Sequence, residues 1–132
     1  MIAVMDVPKS DTGSYGIVSP GNDDGQIVDV VGLVEKPKPV NAPSTIGVVG
    51  RYIIEPGVFA QLANQDRGAG NEVQLTDALA RQIGKVPLKG LRFSGERFDC
   101  GSKIGFLQAN ISFALNRKDL SSDLSNWLKT IV

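Results

Sequence analysis

Apolar and polar residues alternate or cluster along this chain in ways that mark out its elements one after another. Ile2 to Val7 is short, apolar and β-branched enough for a strand, and Pro8 to Gly13 is a polar turn. Tyr15 to Val18 reads as a second extended segment, followed by a turn over Pro20-Gly21-Asn22-Asp23-Asp24-Gly25. Ile27 to Val34 has the Val/Ile content of a strand. Pro37, Pro39 and Pro43 force a loop, and Ile46 to Ile54 is the next strand. Pro56 suits the first turn of a short helix that buries Val58, Phe59 and Leu62. Gly68 and Gly70 lie in a loop, and Asn71 can cap a helix running to Ile83, with Gly84 as its stop.

The C-terminal third changes character. Val86 to Phe93 and Arg97-Phe98 read as a strand pair across Ser94-Gly95-Glu96. Ser102 can cap a helix whose Ile104, Leu107, Ile111, Ala114 and Leu115 recur at helical spacing. Ser121 or Ser122 can cap a last helix carrying Leu124, Trp127, Leu128 and Ile131. Strands followed by mixed strands and helices predict an α/β chain, or α+β if the strands are antiparallel. There is no internal repeat. At 132 residues the chain has room for one domain.

Composition narrows the chemistry. Fourteen basic and fourteen acidic residues cancel, so no basic field points to nucleic acid. Histidine is absent, which excludes a Ser-His-Asp triad and a histidine zinc site within this chain. The longest apolar stretches fall far short of the ~20 residues of a membrane helix. One cysteine, Cys100, cannot pair internally, and a reducing, cytoplasmic setting is expected. Without a histidine beside it, Cys100 is expected to be a small buried residue rather than a nucleophile.

Four short segments carry possible chemistry. Glu35-Lys36-Pro37 closes an apolar strand, where open α/β sheets place ligand contacts. Read alone it is either a solvated ion pair or a carboxylate for hydroxyls beside an ammonium for phosphate. Strand alternation would send the two side chains to opposite faces unless the chain bends, and Pro37 gives a reason for a bend. Asp99, in Arg97-Phe98-Asp99-Cys100-Gly101-Ser102, either precedes a capped helix or ligates Mg²⁺. Gly68 and Gly70 ahead of a helix lack the Gly-Lys-Ser/Thr ending of a P-loop, and a glycine turn is the better reading. Tyr15-Gly16 marks either a close approach of backbone to a ligand or a bulge.

Taken together, the segments resemble one family. Val34-Glu35-Lys36-Pro37-Lys38-Pro39, Ala42-Pro43-Ser44, Val49-Gly50-Arg51-Tyr52, Gly70-Asn71-Glu72-Val73-Gln74-Leu75-Thr76-Asp77-Ala78 and Arg97-Phe98-Asp99-Cys100-Gly101 are similar to bacterial UTP–glucose-1-phosphate uridylyltransferases. Val7-Pro8-Lys9 and Tyr15-Gly16-Ile17-Val18 fit as well, in the same order. The resemblance implies a Rossmann-like α/β nucleotidyltransferase fold, a mixed sheet with flanking helices, of which residues 1–132 form the C-terminal, sugar-phosphate-binding portion. It implies UTP and glucose 1-phosphate as substrates and Mg²⁺ as cofactor. Glu35 would bind glucose hydroxyls and Lys36 the sugar phosphate. Tyr15, Gly16, Val48 and Gly50 would line the substrate, Gly16 and Val48 through their backbones. Asp99 would be one of two metal aspartates, and Lys36 and Asp99 the catalytic pair. The family's glycine-rich nucleotide segment is expected outside this chain. Strands whose neighbours lie there would have open edges, which predicts either pairing with another copy, a homo-oligomer, or a marginally stable monomer. Thymidylyl or guanylyl transfer, and a non-catalytic oligomerisation module built on the two last helices, are the competing expectations.

Overall fold

The computed structural model describes residues 1–131, in two compact units, Met1–Ser94 and the segment from Gly95 onward. The first unit holds five strands: β1 (Ile2–Asp6), β2 (Gly16–Asp23), β3 (Ile27–Glu35), β4 (Ile46–Tyr52) and β5 (Lys89–Arg92). They join in the order β1-β4-β2-β3-β5, and β5 returns to β1, closing the sheet into a barrel. The β1–β5 pair is parallel and the others are antiparallel, so the expected mixed sheet is present. Closure gives every strand two neighbours. The closure is narrow between β2 and β4, which join at the single pair Ile17 and Gly47.

Closure depends on the short strand β5, which corrects the strand pair expected across residues 94–96. Only Lys89–Arg92 is strand, paired with both Ile2–Val4 and Ile27–Asp29, while 95–102 holds no strand. Gly90 permits this close approach: a Cβ there would stand 2.8 Å from the Val28 side chain. Arg92 fastens the seam, gripping Asp23 through both terminal nitrogens (2.7 and 2.9 Å) and reaching Asp6 through Nε at 3.2 Å. That grip holds the Asp23 carboxyl below the usual carboxylate range.

β2 continues through Pro20-Gly21-Asn22-Asp23, where a turn was expected. The turn itself is tighter: Asp24 accepts from the N–H groups of Gln26 and Ile27, and Gly25 takes a positive φ of 93°. Two register shifts absorb the proline. Ser19 faces Gly32 but Pro20 faces Val30, so Val31 is an extra residue on β3, 59% exposed. Such a bulge reverses the in-out alternation. Val28 and Val30 are buried before it, and Leu33, an odd position, is buried after it.

The core is one cluster in which Ile2, Val4, Val18, Val28, Leu33 and Val48 meet Val58 of α1 (Gly57–Asn64) and Ala78 and Leu79 of α2 (Leu75–Ala80). Pro56 sits just before α1, as its missing N–H predicts. α2 starts three residues later than expected, with Gln74 rather than Asn71 at its capping position. Asn71 and Gly70 take positive φ (59° and 70°) in a short 3₁₀ turn, and Gly68 N–H is spent on Glu72 O at 2.8 Å. The glycine segment is thus a turn rather than an anion cradle.

In the second unit, α3 (Lys103–Leu115) begins at Ser102, whose Oγ accepts from Gly105 N at 3.1 Å as a capping side chain should. α4 (Ser121–Leu128) has no side-chain cap; Leu120 holds the capping position and Ser121 is already helical. Cys100 is exposed, against expectation, because it lies in the loop before α3 rather than in a core. No helix among the described residues is long and apolar enough to cross a membrane.

Candidate active site

Where β2 starts and β3 ends, the antiparallel register sets Gly16 opposite Glu35. The strand period puts this pair on the same face as Val18 and Leu33, the face that α2 covers. Gly16 sits in regular pairing, so it is not a bulge. What occupies the room of its missing side chain is the site itself: a Cβ would stand 3.1 Å from both Glu35 Oε2 and Thr76 Oγ1. Thr76, in the first turn of α2, donates its hydroxyl to Glu35 Oε2 at 2.6 Å.

The bend expected after Glu35 is real. Lys36 takes a left-handed backbone with φ 45°, a conformation that costs a non-glycine residue of order 1 kcal/mol or more. It is pinned there by its own N–H, which donates to Tyr15 O at 2.9 Å. Strand alternation ends at that residue. Lys36 Nζ therefore reaches 3.7 Å from Glu35 Oε1 instead of pointing to the opposite face. The carboxylate is mostly buried, with 12% of its side chain accessible, while half of the lysine side chain is open to water. One oxygen of Glu35 is taken by Thr76 and the other faces the ammonium. The arrangement offers an acceptor for hydroxyls beside an accessible cation for an anion.

Tyr52, at the end of β4, lies within electrostatic reach of Glu35. Its phenol is pushed above its usual range first by burial and second by the negative charge of Glu35. Sequence reasoning gave neither Tyr52 nor Thr76 a role. Both lie in strings already singled out, but nothing in their spacing shows that a strand end and a helix start 41 residues apart would meet.

The remaining candidates divide. Tyr15 is joined to the site through its carbonyl. Val48 turns its side chain into the core opposite Val4, leaving only its backbone for any ligand. Gly50 takes φ 82° where β4 carries two more residues than β1 between the pairs Val4–Val48 and Ile2–Tyr52, with open space around it. Its glycine is explained by that irregularity. Asp99 belongs to the second unit. It is exposed, its Oδ1 accepts from Gly101 N at 3.2 Å, and its carbonyl accepts from both Ser102 N and Ser102 Oγ. Gly105 has no Cβ for a visible reason: one would stand 2.2 Å from that carbonyl. No cluster of three or more acidic or cysteine ligands exists among the described residues. An exposed hard carboxylate fits Mg²⁺ as one protein ligand among waters and phosphate oxygens.

The first unit thus sets a half-exposed cation beside a mostly buried hydrogen-bond acceptor at a strand end. The nucleotidyl transferase family model matches residues 1–114, and the chain belongs to that family. It is 50% identical over its whole length to a UTP–glucose-1-phosphate uridylyltransferase of Komagataeibacter xylinus, of which it covers 44%. A crystal structure of UDP-glucose pyrophosphorylase complexed with UDP-glucose superposes with a TM-score of 0.82 at 33% identity, over 88% of this chain and 44% of that one. A UTP-bound UGPase from Acinetobacter baumannii gives 0.81 at 33% identity, over 96% of this chain and 44% of that one. The chain thus spans less than half the length of the relatives it matches.

Proposed function

We propose that this chain is the sugar-phosphate side of an enzyme that transfers a uridylyl group from UTP to glucose 1-phosphate, giving UDP-glucose and pyrophosphate. The observation that carries the proposal is the Glu35–Lys36 pair, turned to one side by a left-handed lysine and bounded by Gly16 and Thr76, with Tyr52 within electrostatic reach. The names and bound ligands of the relatives support the choice of uridylyl and glucosyl groups.

In the reaction an oxygen of the sugar phosphate attacks the α-phosphorus of UTP. A new P–O bond forms there, the bond from that phosphorus to the bridging oxygen breaks, and pyrophosphate leaves. Such transfers need positioning and charge neutralisation more than covalent help, so the absence of histidine is no obstacle. Lys36 would hold the sugar phosphate as a point charge. Glu35 would accept from the hexose hydroxyls, and Tyr15, Gly16, Val48 and Gly50 would border the sugar. Asp99 would hold Mg²⁺, which when bound neutralises phosphate charge. The lone thiol of Cys100 fits a reducing, cytoplasmic setting.

Calorimetric titration with UDP-glucose, with and without Mg²⁺, tests the proposal. The chain should bind, Lys36→Ala should weaken binding at least about tenfold, as loss of a charge-assisted contact does, and Asp99→Asn should remove whatever Mg²⁺ adds. A chain folded by circular dichroism that binds no UDP-glucose would sink the proposal.

A further inference from the structure

We infer that Thr76 is a positioning residue for the Glu35 carboxylate, and that through Glu35 it decides which hydroxyls of a hexose phosphate the site accepts. The inference rests on the sugar-phosphate reading above and gives a role to the Gln74-Leu75-Thr76-Asp77 string that the reading left without one.

A glutamate has three side-chain torsions, so an unrestrained carboxylate turns to follow whatever donor is presented. Glu35 is restrained on three sides. The Thr76 hydroxyl donates to Oε2 at 2.6 Å, and Lys36 Nζ stands 3.7 Å from Oε1. The third side is the backbone of Gly16, opposite Glu35 across the β2–β3 ladder and close enough that a Cβ would crowd Oε2 and Thr76 Oγ1 alike.

Thr76 suits the task. Its β-branched side chain has only two favoured χ1 rotamers in a helix. It is 8% exposed, so water does not readily replace it as donor. The capping position of α2 is held by Gln74, so the Thr76 hydroxyl is not spent as its N-cap. The carboxylate accepts at about four lone-pair sites. With one committed to Thr76 and the plane fixed, those that remain point in set directions. Epimeric hexoses present one hydroxyl in different directions, equatorial or axial. A fixed acceptor separates them, because the wrong epimer leaves a buried polar group unpaired, whereas a free acceptor follows either.

Thr76→Val keeps the shape and removes the donor; Thr76→Ser keeps the donor. The 132-residue chain and both variants are titrated with α-D-glucose 1-phosphate, α-D-galactose 1-phosphate and inorganic phosphate. The ¹³C carboxyl resonance of Glu35 is read in each without ligand. Thr76→Val should weaken glucose 1-phosphate about tenfold, the loss of one hydrogen bond to a charged group, and bring the glucose-to-galactose ratio toward one. Phosphate, held by Lys36, should stay within about twofold by the same reasoning. The Glu35 resonance should move, and Thr76→Ser should restore resonance, affinity and ratio together. Should Thr76→Val, folded by circular dichroism, keep the parent affinity and ratio, the positioning role is wrong while the sugar-phosphate reading stands. If the folded parent binds neither sugar phosphate, that reading falls and the role of Thr76 in selectivity falls with it.

Discussion

The two units spend their apolar residues in opposite ways. Residues 1–94 build a core in which Ile2, Val4, Val18, Val28, Leu33 and Val48 are at most 8% exposed, although Phe59 of α1, expected to be buried, is 60% exposed. From Gly95 onward, Ala109 is the single buried hydrophobic side chain among the described residues, while Ile104, Phe106, Leu107, Phe113 and Trp127 are each more than half exposed. On α3 these form two stripes, Ile104-Leu107-Ile111-Leu115 and Phe106-Ala109-Phe113, on opposite sides of the helix. α4 touches α3, and the Phe98 ring meets Phe113 at 6.1 Å, but a helix apolar on two sides needs more than one neighbour. The lesson is that a closed sheet stabilises itself, and a helical pair of this size does not.

The same substitution in each unit tests this most sharply. Leu33→Ala should cost about 2–5 kcal/mol in urea unfolding, as buried leucines do, whereas Leu107→Ala, 54% exposed, should cost under about 0.5 kcal/mol. Equal costs would show that α3 is as tightly packed as the barrel. Gly105→Ala should come next, at about 1–3 kcal/mol for forced overpacking. Its effect should be local: amide exchange should rise across residues 99–106 and leave β1 to β5 unchanged. The fluorescence of Trp127, the sole tryptophan, should be strongly quenched by acrylamide; a shielded indole would contradict its 57% exposure.

The smallest effect concerns Tyr52. In a Tyr15→Phe background its phenol should titrate above the usual value of about 10. Glu35→Gln should bring the midpoint part of the way down, because burial is the larger cause and the glutamate charge the smaller. A raised phenol means that the fold holds its proton more tightly than the unfolded chain does. Its contribution to stability is therefore complete below about pH 10 and is lost as pH rises through the folded-state midpoint.

Much of this molecule was legible in the sequence, for reasons that can be located. β1, β3, β4 and α3 announced themselves by β-branched runs, by helical spacing and by the Ser102 cap. The bend at Lys36 followed from the proline after it. What stayed hidden depends on distant partners. β5 was read inside the longer run Val86 to Phe93, but its two partners were not: Gly90 fits between Val4 and Val28. Pro20 and Gly21 looked like turn residues, yet a bulge accommodates them inside β2. The Thr76–Glu35 contact exists only once α2 has packed on β3.

The extra residue at Val31 carries a consequence for how this strand tolerates change in length. Because the two halves of β3 keep opposite parity, the segment between Val30 and Leu33 works as a phase shifter, and its length matters more than its composition. Exchanging Val31 for another exposed residue leaves the phase intact. Removing it restores simple alternation, which either turns Leu33 and Glu35 outward together or drags β3 one step along β2. A one-residue gap there would thus silence the carboxylate without touching it, and two variants differing by that gap would align well in sequence while differing in what they bind.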